Sequence, residues 1–213
     1  MERRAPPRSS LRYCEQAAAR AAKEADMADR LNDVNLDGIM AVDKVIRENP
    51  AMGKCQFKAK STWQRGTKSQ VSVNAWTAGG HSMSPAPRRF TVMVDEPPEL
   101  GGVDGAPNPV EVLLSALAGC VTAGIATNAQ MFGVPIDAID IDLEADVDAR
   151  GMLGHDKSVR NGVTDIRYTV TIQSPAPEDK IRKVKETIDR KSPVRDTLAS
   201  PVNIVSTLVF KPR

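Results

Sequence analysis

The chain has 213 residues, 41% of them hydrophobic and only 4% aromatic, with a formal net charge of +2. That supplies one domain with a sizeable aliphatic core, plus an appendage. The balanced charge leaves no basic footprint for nucleic acid, and no aromatic residues interleave with basic ones as a stacking surface. No apolar run is read as reaching the roughly 20 residues of a membrane span. The N-terminus "MERRAPPRSSLRYCEQ" lacks the apolar stretch of a secretory signal. Neither a nucleic-acid partner nor a membrane is expected.

Residues 1–32 are rich in Arg and Ala. "CEQAAARAAKEADMADRL" has high helix propensity but no apolar stripe, so it reads as a loosely attached helical extension. The folded domain is expected over 33–213. "LDGIMAVDKVIREN" brings Leu36, Ile39, Met40, Val42, Val45 and Ile46 near one face of a helix that Asn49-Pro50 ends. "KCQFKAKSTWQ" alternates, with Cys55, Phe57, Ala59 and Ser61 on one side, and predicts a half-buried strand. "RGTK" turns the chain into a second alternating run, "SQVSVNAWTAGG", and "RRFTVMVDEPP" gives a third strand stopped by its double proline.

A Gly-rich loop, "ELGGVDGAPNP", leads into "NPVEVLLSALAGCVTAG", the start of a helix expected to run to Phe132-Gly133, with Gly133 as its C′ residue. "VPIDAIDIDLEADVDARG" and "GVTDIRYTVTIQSPAP" alternate apolar and polar residues and predict a long hairpin. "PEDKIRKVKETIDRKSP" predicts an amphipathic helix, "SPVRDTLASP" a short one, and "VNIVSTLVF" a closing strand. Strands in runs, rather than in strict βαβ alternation, argue for an α+β fold with mainly antiparallel sheet.

The three cysteines, Cys14, Cys55 and Cys120, are widely spaced and form no C-x-x-C, which argues against a disulfide framework or a cysteine zinc site. The two histidines, His81 and His155, fall in loop-like sequence. Free thiols fit a reducing, cytoplasmic compartment.

The helix around Cys120 carries the chemistry. Asn108 is a good N-cap, Pro109 a good N1 residue, and Glu111 stands at N3, the arrangement of a capping box. No charged residue follows Glu111 until Asp137, so the helix is expected to be central and buried all round. Leu113, Ala116, Leu117, Cys120 and Gly124 share a stripe, and small residues around Cys120 let another helix or subunit come close. On this pattern alone Cys120 is a small core residue. A reactive thiol needs a positive group or a helix N-terminus, which mid-helix placement does not supply. Glu111 lies about two and a half turns away on another face, so capping is its own-chain role.

"GAPNPVEVLLSALAGCVTAG", with its N-P-x-E-x-L-x-x-A-x-x-x-C pattern, and the later "RKSPVRDTL" with a closing strand expected after it resemble the OsmC/Ohr family of small thiol peroxidases. The likeness runs from about Lys54 to the C-terminus. It implies an α+β, intertwined homodimer with sites at the subunit interface. It implies that Cys120 attacks the O–O bond of an organic hydroperoxide and becomes a sulfenic acid. No metal or organic cofactor is implied. The family's resolving cysteine stands at a C-P-[VIY]-S type motif, and here that place is Ser192, which also suits an N-cap before Pro193. The family's acid normally follows the proline directly, where this chain has Val110, and Glu111 takes the next position. The assisting arginine corresponds to Arg65 or Lys68 in the hairpin turn, or to Arg88-Arg89.

The resemblance therefore implies a one-cysteine thiol peroxidase for organic hydroperoxides in oxidative-stress defence, acting through Cys120 with Ser192 and Glu111 and regenerated by an external thiol. The alternative is a non-catalytic dimer of the same fold that binds a small apolar ligand in its interface pocket. A third reading is a purely structural protein whose N-terminal helix is its contact. A basic side chain at the Cys120 sulfur favours the enzyme, and a sealed apolar shell favours a structural cysteine.

Overall fold

The computed structural model describes residues 31–83 and 89–212. The extension with Cys14, and Arg88, lie outside the described residues. The described chain opens with a single turn of 3-10 helix at Leu31–Asp33. Asn32 already belongs to the fold: its side chain donates to Val134 O at 2.9 Å and accepts from Ile136 N at 2.7 Å, as a paired backbone would.

Helix α1 spans Leu36–Glu48 and starts on the Asn35 side chain. Strands β1 (Cys55–Arg65) and β2 (Lys68–Ala78) form the expected hairpin. Gly66 supplies the positive φ at the first turn position. A short β3 (His81–Ser82), not foreseen from sequence, pairs with the end of β2, and β4 (Phe90–Val94) pairs with its beginning, so β2 is the central strand. The half-buried expectation for β1 is corrected: every residue of β1 is exposed, Phe57 at 74% and Trp63 at 73%. Its alternation would bury one face only if a second surface covered it, and the described residues bring none.

Helix α2 (Pro109–Phe132) ends at Gly133 in the left-handed region. Strands β5 (Ala138–Asp146) and β6 (Asp165–Gln173) form the second sheet, joined through a short α3 (Ala149–Met152). Their register sets Ile139 opposite Ile172, Ile141 opposite Val170 and Leu143 opposite Tyr168. These inward pairs meet a core of Leu117, Val121, Ile125 and Ala129 from α2, and Val184 and Ile188 from α4 (Glu178–Lys191). Each fully buried aliphatic side chain contributes about 1.5–3 kcal/mol. On the outer face Arg167 bridges Glu144 and Asp146, both at 2.6 Å. Helix α5 (Pro193–Ala199) follows α4 directly. The mixed α+β class with antiparallel sheets is therefore as the sequence predicts.

Two further expectations are corrected. Helix α2 is not buried all round: Ala116, Gly119 and Ala123 face open space on the side away from the core. By length and composition it is also long and apolar enough to cross a membrane, because Ser, Thr and Asn interrupt it without adding charge. Its packing against the hairpin and α4 is that of a core helix. Residues 202–210 form no strand. Ile204 is 84% and Leu208 88% exposed. An extended segment needs a neighbouring edge to become a strand, and none among the described residues reaches it.

Candidate active site

Cys120 sits at the margin between the buried and exposed faces of α2 and is itself half-buried. The capping box that starts this helix is complete. Asn108 Oδ1 accepts from Glu111 N at 2.9 Å, and Glu111 Oε2 accepts from Asn108 N at 2.7 Å. Opposite Cys120 stands Ser192, 2% exposed, at the junction of α4 and α5. Its N–H closes α4 on Ile188 O at 2.8 Å, and its hydroxyl caps α5 by accepting from Arg195 N at 3.2 Å.

The Cys120 Sγ and Ser192 Oγ atoms are 3.2 Å apart. The pairing follows from helix packing. One turn along α2 from Cys120 is Gly124, and one turn back along α4 from Ser192 is Ile188. A Cβ on Gly124 would lie 1.9 Å from Ile188 Cδ1 and 2.4 Å from Cγ1. Only glycine lets Ile188 seat there, and that close approach carries Ser192 onto the sulfur.

A hydroxyl has one proton and two lone pairs. One lone pair is taken by the Arg195 N–H, which leaves the proton free for sulfur. When Cys120 is a thiol, either partner can donate. When it is a thiolate, only Ser192 can, and the hydroxyl then links the sulfur to the first turn of α5, where backbone N–H groups favour negative charge.

Among the described residues no basic side chain hydrogen-bonds the sulfur, and the surroundings are not a sealed apolar shell either. The structure brings Cys120 and Ser192 together but not Glu111, which is exposed and whose Oε2 closes the capping box. Nor does it bring the hairpin basics to the sulfur. Arg65 and Lys68 flank a turn pinned to the loop before α2. Thr67 Oγ1 donates to Asp95 Oδ1 at 2.7 Å, and Asp95, 1% exposed, also accepts from Glu96 N at 2.9 Å and Gly105 N at 3.0 Å. These bonds, that of Thr67 first, hold the Asp95 carboxyl below its ordinary range despite its burial. Arg89 precedes β4 and is exposed. Cys55 is an exposed residue opposite Ala78 at the end of the first hairpin. Among the described residues no three His, Cys, Asp or Glu side chains gather as a metal site.

Sequence reasoning missed a cavity of about 360 Å³ beside this pair. Leu117 and Leu113, one and two turns before Cys120 on α2, line it with Tyr168 and Arg195. Tyr168 Oη donates to Asp189 Oδ1 at 2.9 Å. Burial, then the hydrogen bond and charge of Asp189, push the phenol up. The available signal was Tyr168 as a hydroxyl-bearing residue at an inward position of an otherwise aliphatic alternation.

The family model for OsmC-like proteins matches residues 102–207. It begins at the loop before α2 and leaves the first sheet outside. Among solved structures, an OsmC-like protein from Mycoplasma pneumoniae superposes with a TM-score of 0.51 at 16% identity, covering 68% of this chain and 89% of that one. An OsmC-like hydroperoxide resistance protein from Jannaschia gives 0.39 at 17% identity, covering 73% and 93%. An organic hydroperoxide resistance protein OsmC from Legionella pneumophila gives 0.43 at 15%, covering 67% and 88%. No curated protein gives a match. The family match, which takes in the whole cysteine helix and the Ser192 junction, places this chain, over residues 102–207, in the OsmC-like family.

Proposed function

We propose that this protein is a one-cysteine, thiol-dependent peroxidase for organic hydroperoxides. The observation that carries the reading is the 3.2 Å contact between Cys120 Sγ and Ser192 Oγ, with that hydroxyl already accepting a backbone N–H. A donor held on the sulfur stabilises the thiolate, which is the nucleophile in such chemistry. Membership of the OsmC-like family, matched across the cysteine helix and the Ser192 junction, supports it.

The thiolate attacks the outer oxygen of the hydroperoxide. The S–O bond forms as the O–O bond breaks, and the departing alkoxide takes a proton and leaves as the alcohol. Cys120 becomes a sulfenic acid. An external thiol then condenses with it, releasing water and leaving a mixed disulfide. A second thiol reduces that disulfide and restores Cys120, leaving the two external sulfurs as a disulfide. Ser192 supplies no sulfur, so both electrons come from outside, in keeping with a reducing, cytoplasmic setting. Ser192 is a positioning donor to sulfur in this scheme, and Glu111 acts through the cap alone.

The functional unit in this reading is a homodimer. The bare β1 face, the small-residue side of α2 and the apolar 202–210 segment all lack cover among the described residues of one chain. A partner copy would bring further groups, a hairpin arginine among them, to the sulfur.

The second reading, a non-catalytic dimer holding a small apolar ligand, is favoured by one observation: among the described residues no basic side chain touches Cys120. Stopped-flow oxidation of Cys14→Ser/Cys55→Ser protein by cumene hydroperoxide, with a sulfenic-acid trap read by mass spectrometry, separates the two. Fast, selective sulfenylation of Cys120, slowed about tenfold by Ser192→Ala, is expected. A rate equal to that of a free thiol leaves the binding protein.

A further inference from the structure

The cavity beside the Cys120–Ser192 pair has two kinds of wall. Leu113 and Leu117 from α2 and Leu198 from α5 give it an apolar side. Arg160, Arg195 and Tyr168 give it a polar one. The Arg160 guanidinium makes no hydrogen bond or ion pair among the described residues. Arg195 directs Nη1 to Asp189 O at 2.9 Å and also lies against the Tyr168 hydroxyl, so Arg160 is the open guanidinium of the pair. The Asp189 carboxylate is already taken, by Tyr168 Oη at 2.9 Å and Lys185 Nζ at 2.5 Å. Asp165 is the one carboxylate among the lining residues. Two guanidinium groups against one carboxylate leave a single net positive charge over an aliphatic wall.

We propose that this cavity binds a singly charged amphipathic carboxylate, an acyl anion of medium length. Its head sits on Arg160 and Arg195, and its chain lies along Leu113, Leu117 and Leu198. Guanidinium forks match a carboxylate with two parallel hydrogen bonds, shorter and stronger than neutral ones. An uncharged apolar ligand would leave the Arg160 fork unpaired, and a small inorganic anion would leave the leucines wet. The volume, about 360 Å³, lies in the range of small-ligand sites. The inference rests on the cavity and not on the thiol step, so the two readings fail separately.

The test is calorimetric titration of full-length Cys120→Ser protein, which cannot do thiol chemistry, with octanoate, octanol and acetate. Saturable binding of octanoate at one site per chain is expected, with octanol and acetate each weaker by about tenfold or more. Arg160→Gln, at an exposed position, should weaken octanoate about tenfold and leave octanol unchanged. Octanoate, but not octanol, should also slow phenylglyoxal modification of Arg160 and Arg195, read by peptide mass spectrometry. Equal binding of octanol and octanoate, no saturable octanoate binding, or no effect of Arg160→Gln overturns the proposal.

Discussion

At Ser192 a hydroxyl stands where the resemblance implies a second sulfur, and the fold gives it two structural tasks. It closes α4 through its N–H and opens α5 through its Oγ. Because the Sγ–Oγ contact is already 3.2 Å, a sulfur in the same place lies within a small movement of the S–S bond length. Ser192→Cys is therefore expected to trap the oxidised protein as an internal disulfide between Cys120 and the introduced thiol, seen as one linked peptide pair after proteolysis. Persistence of a trappable sulfenic acid in that variant would show that the two side chains do not meet in solution. The loss of the N-cap hydroxyl costs about 1 kcal/mol, small enough to leave the protein folded.

Two contacts between elements set this geometry. Gly124 is the point where α4 touches α2, and a methyl there meets the Ile188 side chain at Cδ1 and Cγ1. Gly124→Ala should destabilise the fold by about 1–3 kcal/mol through overpacking. It should also slow Cys120 sulfenylation, since Ser192 moves with α4. Denaturant unfolding beside stopped-flow rates checks both, and unchanged values for both would deny the coupling. The other contact is Asp95, which ties the first hairpin turn to the loop ahead of α2. Its folded carboxyl titrates below its unfolded value. Its stabilisation is therefore complete above the unfolded carboxylate range, near about pH 4, and is lost as pH falls through the lower folded value. Asp95→Asn should lower stability at neutral pH and flatten the acid limb of the stability curve, measured by thermal unfolding from neutral pH downward. A parallel, undiminished acid limb would assign the pH dependence elsewhere.

At the scale of the molecule, the core lies among α2, α4 and the β5–β6 hairpin, while the first sheet stands without a covering layer among the described residues. Phe57 stacks on Trp76 with ring centroids 5.6 Å apart, yet Phe57 remains exposed. Surfaces of this kind mark interfaces. Deleting residues 201–213, which carry Ile204, Leu208 and Phe210, should shift the protein from dimer to monomer by light scattering while the α2–hairpin core stays folded by circular dichroism. A full-length protein that is monomeric at micromolar concentration would remove the dimer from the proposal.

Much of the fold was legible because its signals are local. The Asn108–Pro109–Glu111 cap, the alternation of Ile139, Ile141 and Leu143 against acids, and Gly133 at a helix end are set by neighbours a few residues away. The amino-acid sequence by itself determined most of the helices and strands in their order, the α+β class, the family pattern around Cys120 and a serine, Ser192, where the resemblance implies a resolving cysteine. Burial and partnership are not local. Alternation in β1 and in residues 202–210 says that one side wants cover without saying whether this chain supplies it, and the tertiary structure shows that the described residues do not. Only the packing of Ile188 over Gly124 decided that Cys120 meets Ser192. Only the convergence of α2, β6 and α5 built the arginine-lined cavity beside them, because residues about fifty to eighty positions apart become neighbours through helix and sheet packing alone.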